Sequence, residues 1–507
     1  MTLGSFTLRP GRRLDPRTPV IVGVGQTLRR PDPTVATEPL DMMVDALRMA
    51  AADSGAGSAL LQRADSVRVP KVVSWPYSDP GALVAERLGA APAETVYCSD
   101  GGNTPQLLVN DAAEGIVRGE RRIVLLVGAE ATYTRLRARR DGVWLEWPKQ
   151  AGARQTRILG ETLPGVSEAE GARGLEVPIQ IYPIFENALR ATGGASLDAH
   201  RAKIADLWSR FSAVAAGNPH AWSPRHLAAT EINTPTPTNR MIGYPYTKAL
   251  CANSATDQAA AVILCSVEGA RAAGVPEERW VFPWCGADTH DHWFLSQRAD
   301  LHSSPGLRAA GRAALGRAGL GIDDIAHLDL YACFPSAVQV AAAELGIRLD
   351  DPGRTPTVTG GNSFAGGPGN NYVMHAIATM VDVLRADPGS VGLVTGVGWY
   401  LTKHAVGLYS TAPPTHEFRR DRPQAEVDGQ PRRASTDGFS GNVTVESYTV
   451  MHDRDGAPTV ALVASLTPDG RRAWGTCRKP DTLAAMTSEE FCGVPAQLGP
   501  DGNVDFS

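Results

Sequence analysis

The same order of apolar strands and helices occurs twice in this chain, and this repetition constrains the fold more than any single motif. In the first copy, the apolar run 19–25 precedes a helical pattern over 40–52, and the later run 122–128 is equally apolar. In the second copy, runs 280–285 and 390–396 stand at the corresponding places. Continuous apolar runs are typical of parallel strands covered on both faces, and their alternation with helices indicates an α/β fold. The sequence therefore predicts a duplicated α/β unit.

The composition fits a globular chain and excludes several classes of protein. Of the 507 residues, 43% are hydrophobic and 20% are charged, and the formal net charge is −5. These values are ordinary for a folded protein and give no basic surface for nucleic acid. No run approaches the roughly 20 apolar residues of a membrane span, and the basic N-terminus lacks the apolar stretch of a signal peptide. We expect a cytoplasmic protein with no nucleic-acid partner and no membrane span.

Cysteine and histidine give no sign of a metal or of a disulfide framework. The seven cysteines are scattered, contain no Cys-x-x-Cys pair and are odd in number, which argues against both a zinc ribbon and paired disulfides. His290, Asp291 and His292 are adjacent, but no third ligand stands nearby at a suitable spacing. We predict no metal site.

Changes in composition divide the chain into five segments. A segment with many charges and prolines interrupts the first α/β copy, and segments of this kind often form lids over a site. Polar residues follow 413, and the alternating strand 443–450 then indicates a small antiparallel domain. The predicted segments are the N-terminal half 1–133, a loop or lid insertion 134–250, the end of the N-terminal half 251–275, the C-terminal half 276–413 and an additional β domain 414–507.

Three groups of residues resemble the thiolase superfamily. They are 119–130, then 239–248 with 257–261, and 329–334, which contains Tyr331-Ala332-Cys333-Phe334. The resemblance covers about 18–410 and is closest to the sterol-carrier-protein type and to bacterial thiolase-like proteins of type 1. It implies two βαβαβαββ halves in α-β-α-β-α layers, and the final segment looks like the extra barrel-like C-terminal domain of one such group. Coenzyme A, as a thioester substrate or ligand, is the implied small molecule.

The resemblance also implies where the family's catalytic groups would stand. The nucleophilic cysteine precedes an isoleucine and a glycine at fixed offsets, and Ile116 and Gly119 at those offsets place Gly102 at its position. The nearest thiol, Cys98, lies four residues upstream. A glycine offers no nucleophile, although its turn and Asn103 can still present polar groups to a substrate oxygen.

The other three catalytic groups of the family are also replaced. Gly367, between Gly366 and Pro368, stands at the activating histidine, and Val394 stands at the second cysteine, in 394–396. Tyr331 stands at the start of the fourth loop, where the family has an oxyanion-binding asparagine or histidine. Ordinary thiolysis through an acyl-cysteine is therefore not expected.

Tyr331 and His404 are the predicted catalytic residues. A tyrosine hydroxyl can donate a proton to an enolate oxygen, and Tyr331 resembles the tyrosine of thiolase-fold aldolases, which work with an OB-fold partner. His404 follows the last strand near the expected site. The alternative for each is structural packing, and His375 is predicted to be structural. The predicted substrate-binding residues are Gly102, Asn103, Gly366, Gly367, Asn370 and Cys333.

Three functions remain open from the sequence. The first is non-covalent carbon–carbon chemistry of aldolase type on a CoA thioester, and the second is acyl-CoA or lipid binding, or a partner role, without catalysis. The third is acyl transfer through Cys98 or Cys333. Basic residues that could meet the CoA phosphates are Arg210, Arg240, Lys248, Arg471 and Arg472. Both a monomer and a dimer are compatible with the sequence.

Overall fold

The computed structural model describes residues 14–29, 37–150, 152 and 155–506. The expectation of no signal peptide rests mainly on residues 1–13, which lie outside the described residues. None of the helices in the described part of the chain is long and apolar enough to cross a bilayer.

The first copy begins with alternating strands and helices, as the sequence predicts. Its elements up to residue 131 are β1 (Pro19–Leu28), α1 (Pro39–Asp53), α2 (Ala59–Gln62), β2 (Ser66–Val69), α3 (Pro80–Leu88), β3 (Glu94–Cys98), α4 (Thr104–Val117) and β4 (Ile123–Ala131).

The insertion contains two long helices and several short ones, where the sequence indicated loops. Its elements are α5 (Thr132–Asp141), β5 (Arg157–Leu159), α6 (Glu168–Gly171), α7 (Pro178–Thr192), α8 (Leu197–Gly217), α9 (Ala229–Asn233), β6 (Met241–Gly243) and β7 (Tyr246–Thr247). Buried apolar side chains on α7 and α8, such as Ile184 and Trp208, join the core of the molecule. This packing explains the difference, because long helices are stabilised by burying one face rather than by propensity alone.

The remaining α/β elements complete the first copy and form the second. They are β8 (Asp257–Ser266), α10 (Val267–Ala272), β9 (Phe282–His290), α11 (Pro305–Ala318), β10 (His327–Asp329), α12 (Pro335–Leu345), α13 (Gly361–Phe364), α14 (Tyr372–Ala386), β11 (Val391–Gly398) and β12 (Lys403–Ser410).

Two sheets carry the duplication. The first has the strand order β1-β8-β4-β2-β3-β5, and the second has the order β10-β11-β12-β9, followed by β13 (Arg420–Asp421). Because β10, β11, β12 and β9 correspond to β2, β4, β8 and β1, the two orders match. Helices α4 and α14 lie between the sheets, since each contacts strands of both. The predicted duplicated fold is confirmed.

The second copy differs from the first in one strand. Residues 346–371 hold α13 and turns where a counterpart of β3 would stand, and no strand is found among them. A buried carboxylate holds this segment instead. Asp329 Oδ2 accepts hydrogen bonds from the backbone N–H groups of Val358 and Thr359, at 3.0 and 3.2 Å. These bonds satisfy backbone donors that a neighbouring strand would otherwise bind.

The C-terminal segment is an antiparallel sheet with short helices. After β13, its elements are α15 (Gln424–Asp428), β14 (Gly441–His452), β15 (Pro458–Leu466), β16 (Arg472–Cys477), α16 (Pro480–Ala485), β17 (Pro495–Leu498) and β18 (Val504–Asp505). The order is β16-β15-β14-β17-β18, and a bridge from Thr476 to Asn503 curls the sheet back on itself. Strand β6 of the insertion also pairs with β14, opposite Met451. The insertion and the C-terminal segment therefore share one sheet.

Candidate functional site

The candidate site lies at the N-terminus of α4, between the two sheets. Gly102 precedes this helix, and Tyr331 follows β10 of the second copy. The Tyr331 hydroxyl lies directly against the Gly102 α-carbon, and a Cβ on Gly102 would come within 2.7 Å of both Tyr331 Cζ and the Val397 carbonyl oxygen. The Tyr331 backbone N–H donates to Thr395 Oγ1 at 2.9 Å, which fixes the loop. The phenol thus fills the space that a side chain at position 102 would need.

The Tyr331 hydroxyl is a proton donor at neutral pH. The residue is 8% exposed, and burial raises the pKa of its hydroxyl well above the usual value, while a hydrogen bond with the Asn362 side chain acts in the opposite direction. Asn362 Oδ1 is itself buried and has no partner among the described residues. A neutral phenol can donate to a carbonyl or enolate oxygen, whereas it cannot act as a base in this state.

The glycine-rich loop after α13 reaches the same place. Asn370 Oδ1 accepts from the Gly101 N–H at 2.9 Å, and its amide donates to the Lys71 carbonyl oxygen at 2.9 Å. Gly367 lies beside Asn362, since a Cβ there would be 3.4 Å from that side chain. Gly366 approaches the Gln258 side chain, which leaves no room for a Cβ. The structure therefore brings Gly102, Asn103, Asn370 and Tyr331 together around the start of α4. Gly367 lies beside Asn362, whose side chain reaches Tyr331, and Gly366 lies beside Gln258.

Sequence reasoning did not single out Lys403, which also lies at this site. Its ammonium group donates to the Asp100 carbonyl oxygen and lies 2.9 Å from the place of a Cβ on Gly101. Burial lowers the pKa of Lys403 to about 8. The sequence did contain a signal for Lys403. Adjacent residues of a strand point to opposite faces, so Lys403 and His404 on β12 cannot both face the site.

His404 lies on the other face of β12. Its Nε2 is 2.9 Å from Asp291 Oδ2, 3.0 Å from the Ser304 hydroxyl and 3.1 Å from the Leu401 carbonyl oxygen. Ser304 caps α11, an outer helix of the second copy. The described partners of His404 thus do not include Tyr331, and its catalytic role stays a prediction.

The comparisons with known proteins decide the family. A search of curated proteins gave no match. The profile of the thiolase-like protein type 1 additional C-terminal domain matches residues 423–503. The crystal structure of a monomeric SCP2-thiolase-like protein type 1 from Mycobacterium smegmatis is 32% identical, with a TM-score of 0.84, over 98% of this chain and 100% of that chain. This chain belongs to the SCP2-thiolase-like type 1 family.

Two more distant structures share the fold of this type 1 chain. An Ltp2–ChsH2(DUF35) aldolase is 19% identical with a TM-score of 0.60, over 78% of this chain and 99% of that chain. The dimeric peroxisomal thiolase of Saccharomyces cerevisiae is 15% identical with a TM-score of 0.52, over 78% of this chain and 98% of that chain. The predicted resemblance to the thiolase superfamily is confirmed by the type 1 match.

The cysteines near the site of this type 1 chain are poor nucleophiles. Cys333 is buried beside Tyr182, and burial raises the pKa of its thiol to about 12. Burial also raises the pKa of Cys98 to about 12. Because the thiolate is the attacking species, few molecules would carry one at neutral pH. The geometry therefore gives no support to acyl transfer through either thiol.

Several predicted contacts for CoA phosphates are engaged elsewhere. Arg472 is fully buried, and its guanidinium donates to Glu446 and to the carbonyl oxygens of Leu295 and Arg298. The expectation that Arg472 meets a phosphate is wrong, because burial leaves this cation no access to a ligand. Arg210 also donates to backbone carbonyl oxygens, among them that of Asp351.

The adjacent residues His290, Asp291 and His292 have separate roles. Asp291 Oδ1 accepts from the Gly306 N–H at 2.7 Å, and His292 Nε2 contacts the Gln430 carbonyl oxygen at 3.1 Å. Within the described ranges, no three histidine, cysteine or acidic side chains are grouped as metal ligands.

Proposed function

We propose that this chain binds a CoA thioester and promotes cleavage or formation of a carbon–carbon bond without an acyl-cysteine. The position of the Tyr331 hydroxyl carries the proposal, because it fills the place of a side chain at position 102. A polar proton donor thus lies at the position where the resemblance to thiolases would put the nucleophile. Thiolysis is excluded from the proposal, since Gly102, Gly367 and Val394 supply none of the required groups.

Tyr331 suits aldol chemistry because such a reaction develops negative charge on the thioester oxygen. When the C2–C3 bond of a 3-hydroxyacyl thioester breaks, its electron pair becomes an enolate. A neutral, buried hydroxyl donor stabilises that charge more strongly than water would. The hydroxyl then supplies the proton that C2 requires. The Ltp2–ChsH2(DUF35) aldolase has the same fold. A shared fold supports aldol chemistry in this chain only by analogy.

A second candidate is binding of an acyl-CoA or lipid without catalysis, or a partner role. The simultaneous replacement of four catalytic groups, together with 8% exposure of Tyr331, favours it. For either function we place the protein in the cytoplasm, in keeping with its composition.

Titration separates the two candidates. Calorimetry, intact mass and product analysis would be run with acetyl-CoA, acetoacetyl-CoA and a branched 3-hydroxyacyl-CoA. The proposal expects binding, cleavage of the 3-hydroxy compound and no covalent adduct. In Tyr331→Phe, cleavage should fall by about 100-fold or more, whereas Tyr133→Phe, on α5, should leave it unchanged. Binding without product would favour the binding protein, and an adduct on Cys98 or Cys333 would contradict both.

A further inference from the structure

The turn between β11 and β12 has an unusual backbone. Trp399 and Leu401 have φ angles of 54° and 53°, and they are the non-glycine residues with positive φ in the part of the chain that the structure describes. Such conformations are strained for bulky residues and concentrate at functional sites. The turn is held from outside, since the Tyr182 hydroxyl donates to the Trp399 carbonyl oxygen at 2.9 Å. Lys403 follows this turn directly.

The turn places the Lys403 ammonium group in a partly apolar enclosure. The residue is 5% exposed, and Nζ lies 5.8 and 5.7 Å from the ring centres of Trp293 and Trp399. The titratable groups whose charges act on it are Asp100, Cys98 and Glu161. The Asp100 carboxylate forms an ion pair with Lys71 at 2.6 Å, so Lys403 shares this negative charge with Lys71.

Asn103 faces the same point and lacks a partner. It is the N-cap residue of α4, but its side chain makes no capping hydrogen bond. Its buried Oδ1 has no hydrogen-bond partner among the described residues, and it lies 2.5 Å from the place of a Cβ on Gly101, where Lys403 Nζ also approaches. A buried acceptor without a donor is costly. A hydrogen-bond donor that reaches this point when a ligand binds would satisfy it.

We propose that Lys403 accepts the proton of the 3-hydroxyl group of a bound thioester, and that Asn103 Oδ1 accepts a hydrogen bond from the ammonium group that forms. The inference deepens the proposed function and rests on it. Tyr331 lies against Gly102 and Lys403 against Gly101, so the two groups flank consecutive residues of one turn. A 3-hydroxyacyl thioester bound across the turn would meet both.

The step balances without a further reactant. The neutral amine of Lys403 takes the hydroxyl proton, C3 becomes a carbonyl carbon, and the C2–C3 bond breaks to leave the thioester enolate. Tyr331 gives a proton to C2. The ammonium group of Lys403 then loses its proton to solvent, and the Tyr331 phenolate regains one. Lowering of the Lys403 pKa to about 8 by burial leaves a usable neutral fraction near neutral pH.

The test compares Lys403→Met and Lys403→Arg with Lys203→Met, which alters an exposed lysine on α8. Both Lys403 variants should cleave the branched 3-hydroxyacyl-CoA at least ~100-fold more slowly, because arginine keeps the charge but accepts no proton. The wild-type rate should rise with pH up to about 8, in line with the lowered pKa of Lys403. If Lys403→Arg cleaves the thioester at the wild-type rate, the role of Lys403 is overturned, whereas the proposed function is not.

Two measurements on the wild-type protein test the inference even if the Lys403 variants fail to fold. Trinitrobenzenesulfonate should label Lys403 at a lower pH than Lys203, and the 3-hydroxyacyl-CoA should protect Lys403 better than the analogue without the hydroxyl group. Equal labelling of the two lysines, or equal protection by the two thioesters, would overturn the inference. If no thioester binds, the proposed function and this role both fail.

Discussion

The phenol of Tyr331 packs against the α-carbon of Gly102 and leaves that position no room for a side chain. The contact joins the two halves of the duplicated fold, since Gly102 precedes α4 of the first half and Tyr331 follows β10 of the second. A side chain at position 102 and the Tyr331 phenol therefore compete for the same space. A cysteine introduced at position 102 alone would displace Tyr331.

Gly102→Ala tests this packing. A Cβ would come within 2.7 Å of Tyr331 Cζ and of the Val397 carbonyl oxygen, so the free energy of unfolding should fall by about 1–3 kcal/mol. In a Tyr331→Ala background the cost should be smaller but not zero, because the carbonyl oxygen remains. Urea unfolding of the four proteins measures the coupling. Gly316→Ala, in α11 where a Cβ meets nothing within 4 Å, is the control and should not destabilise. Additive costs would contradict the shared packing.

Glu130 should make stability depend on pH near neutrality. Burial raises the pKa of this carboxyl to about 7, although the backbone N–H groups of Val73 and Ser74 donate to it. Because the folded pKa exceeds the unfolded value, the folded state binds a proton that the unfolded state releases. Stability is then lost as pH rises from about 4.5 to 7, by about 2–3 kcal/mol. Urea unfolding at several pH values should show this loss in the wild type and not in Glu130→Gln. Parallel pH profiles would contradict it.

The neighbouring arginines 471 and 472 should differ greatly in their effect on stability. Arg472 is fully buried and binds Glu446 on both oxygens, whereas Arg471 is partly exposed and pairs with Asp469. Arg472→Met should lower the free energy of unfolding by about 3–5 kcal/mol, since it leaves the partly buried Glu446 carboxylate and two buried carbonyl oxygens without their donor. Arg471→Met should change it by less than about 1 kcal/mol. Thermal and urea unfolding measure both, and equal effects would refute the buried role of Arg472.

Asp111 should contribute to stability above its pKa and lose this contribution in acid. Burial would raise the pKa of Asp111, but a hydrogen bond from Arg157 and the charges of Arg68 and Arg420 outweigh it and lower the pKa. Since the folded pKa lies below the unfolded one, the contribution is present above about pH 4 and disappears as pH falls through the folded value. Unfolding measured between pH 3 and 6 should be steeper in the wild type than in Asp111→Asn. A slope that the substitution leaves unchanged would exclude this network as the cause.

The sequence predicted those elements whose burial is visible in consecutive residues. Strands β1, β4 and β11 are continuous apolar runs and were expected within a few residues of their bounds. Strand β12 contains Lys403 and His404, whose polarity masks a buried strand. Helices α7 and α8 depend on packing against distant strands, which no local pattern contains.

For the candidate site, the sequence predicted which positions are involved but not how their side chains contact one another. The resemblance placed Gly102 and Tyr331 at family positions, but it gave no sign that one fills the space of the other. The sequence singled out His404, because it follows the last strand, and not Lys403, whereas the side of the strand decides which residue reaches α4. The roles of Tyr331 and Asn370 as catalytic and binding residues stay predictions.

Strand β5 has a consequence for how the molecule meets its own copies. This three-residue strand from the insertion pairs in parallel with β3 and occupies the outer edge of the first sheet. An unpaired strand at that edge would offer its N–H and C=O groups to another polypeptide. The chain supplies its own closing strand, and the tether makes that pairing independent of protein concentration. The edge that remains open is β5 itself, and its three residues offer another chain few backbone groups, which limits lateral polymerisation.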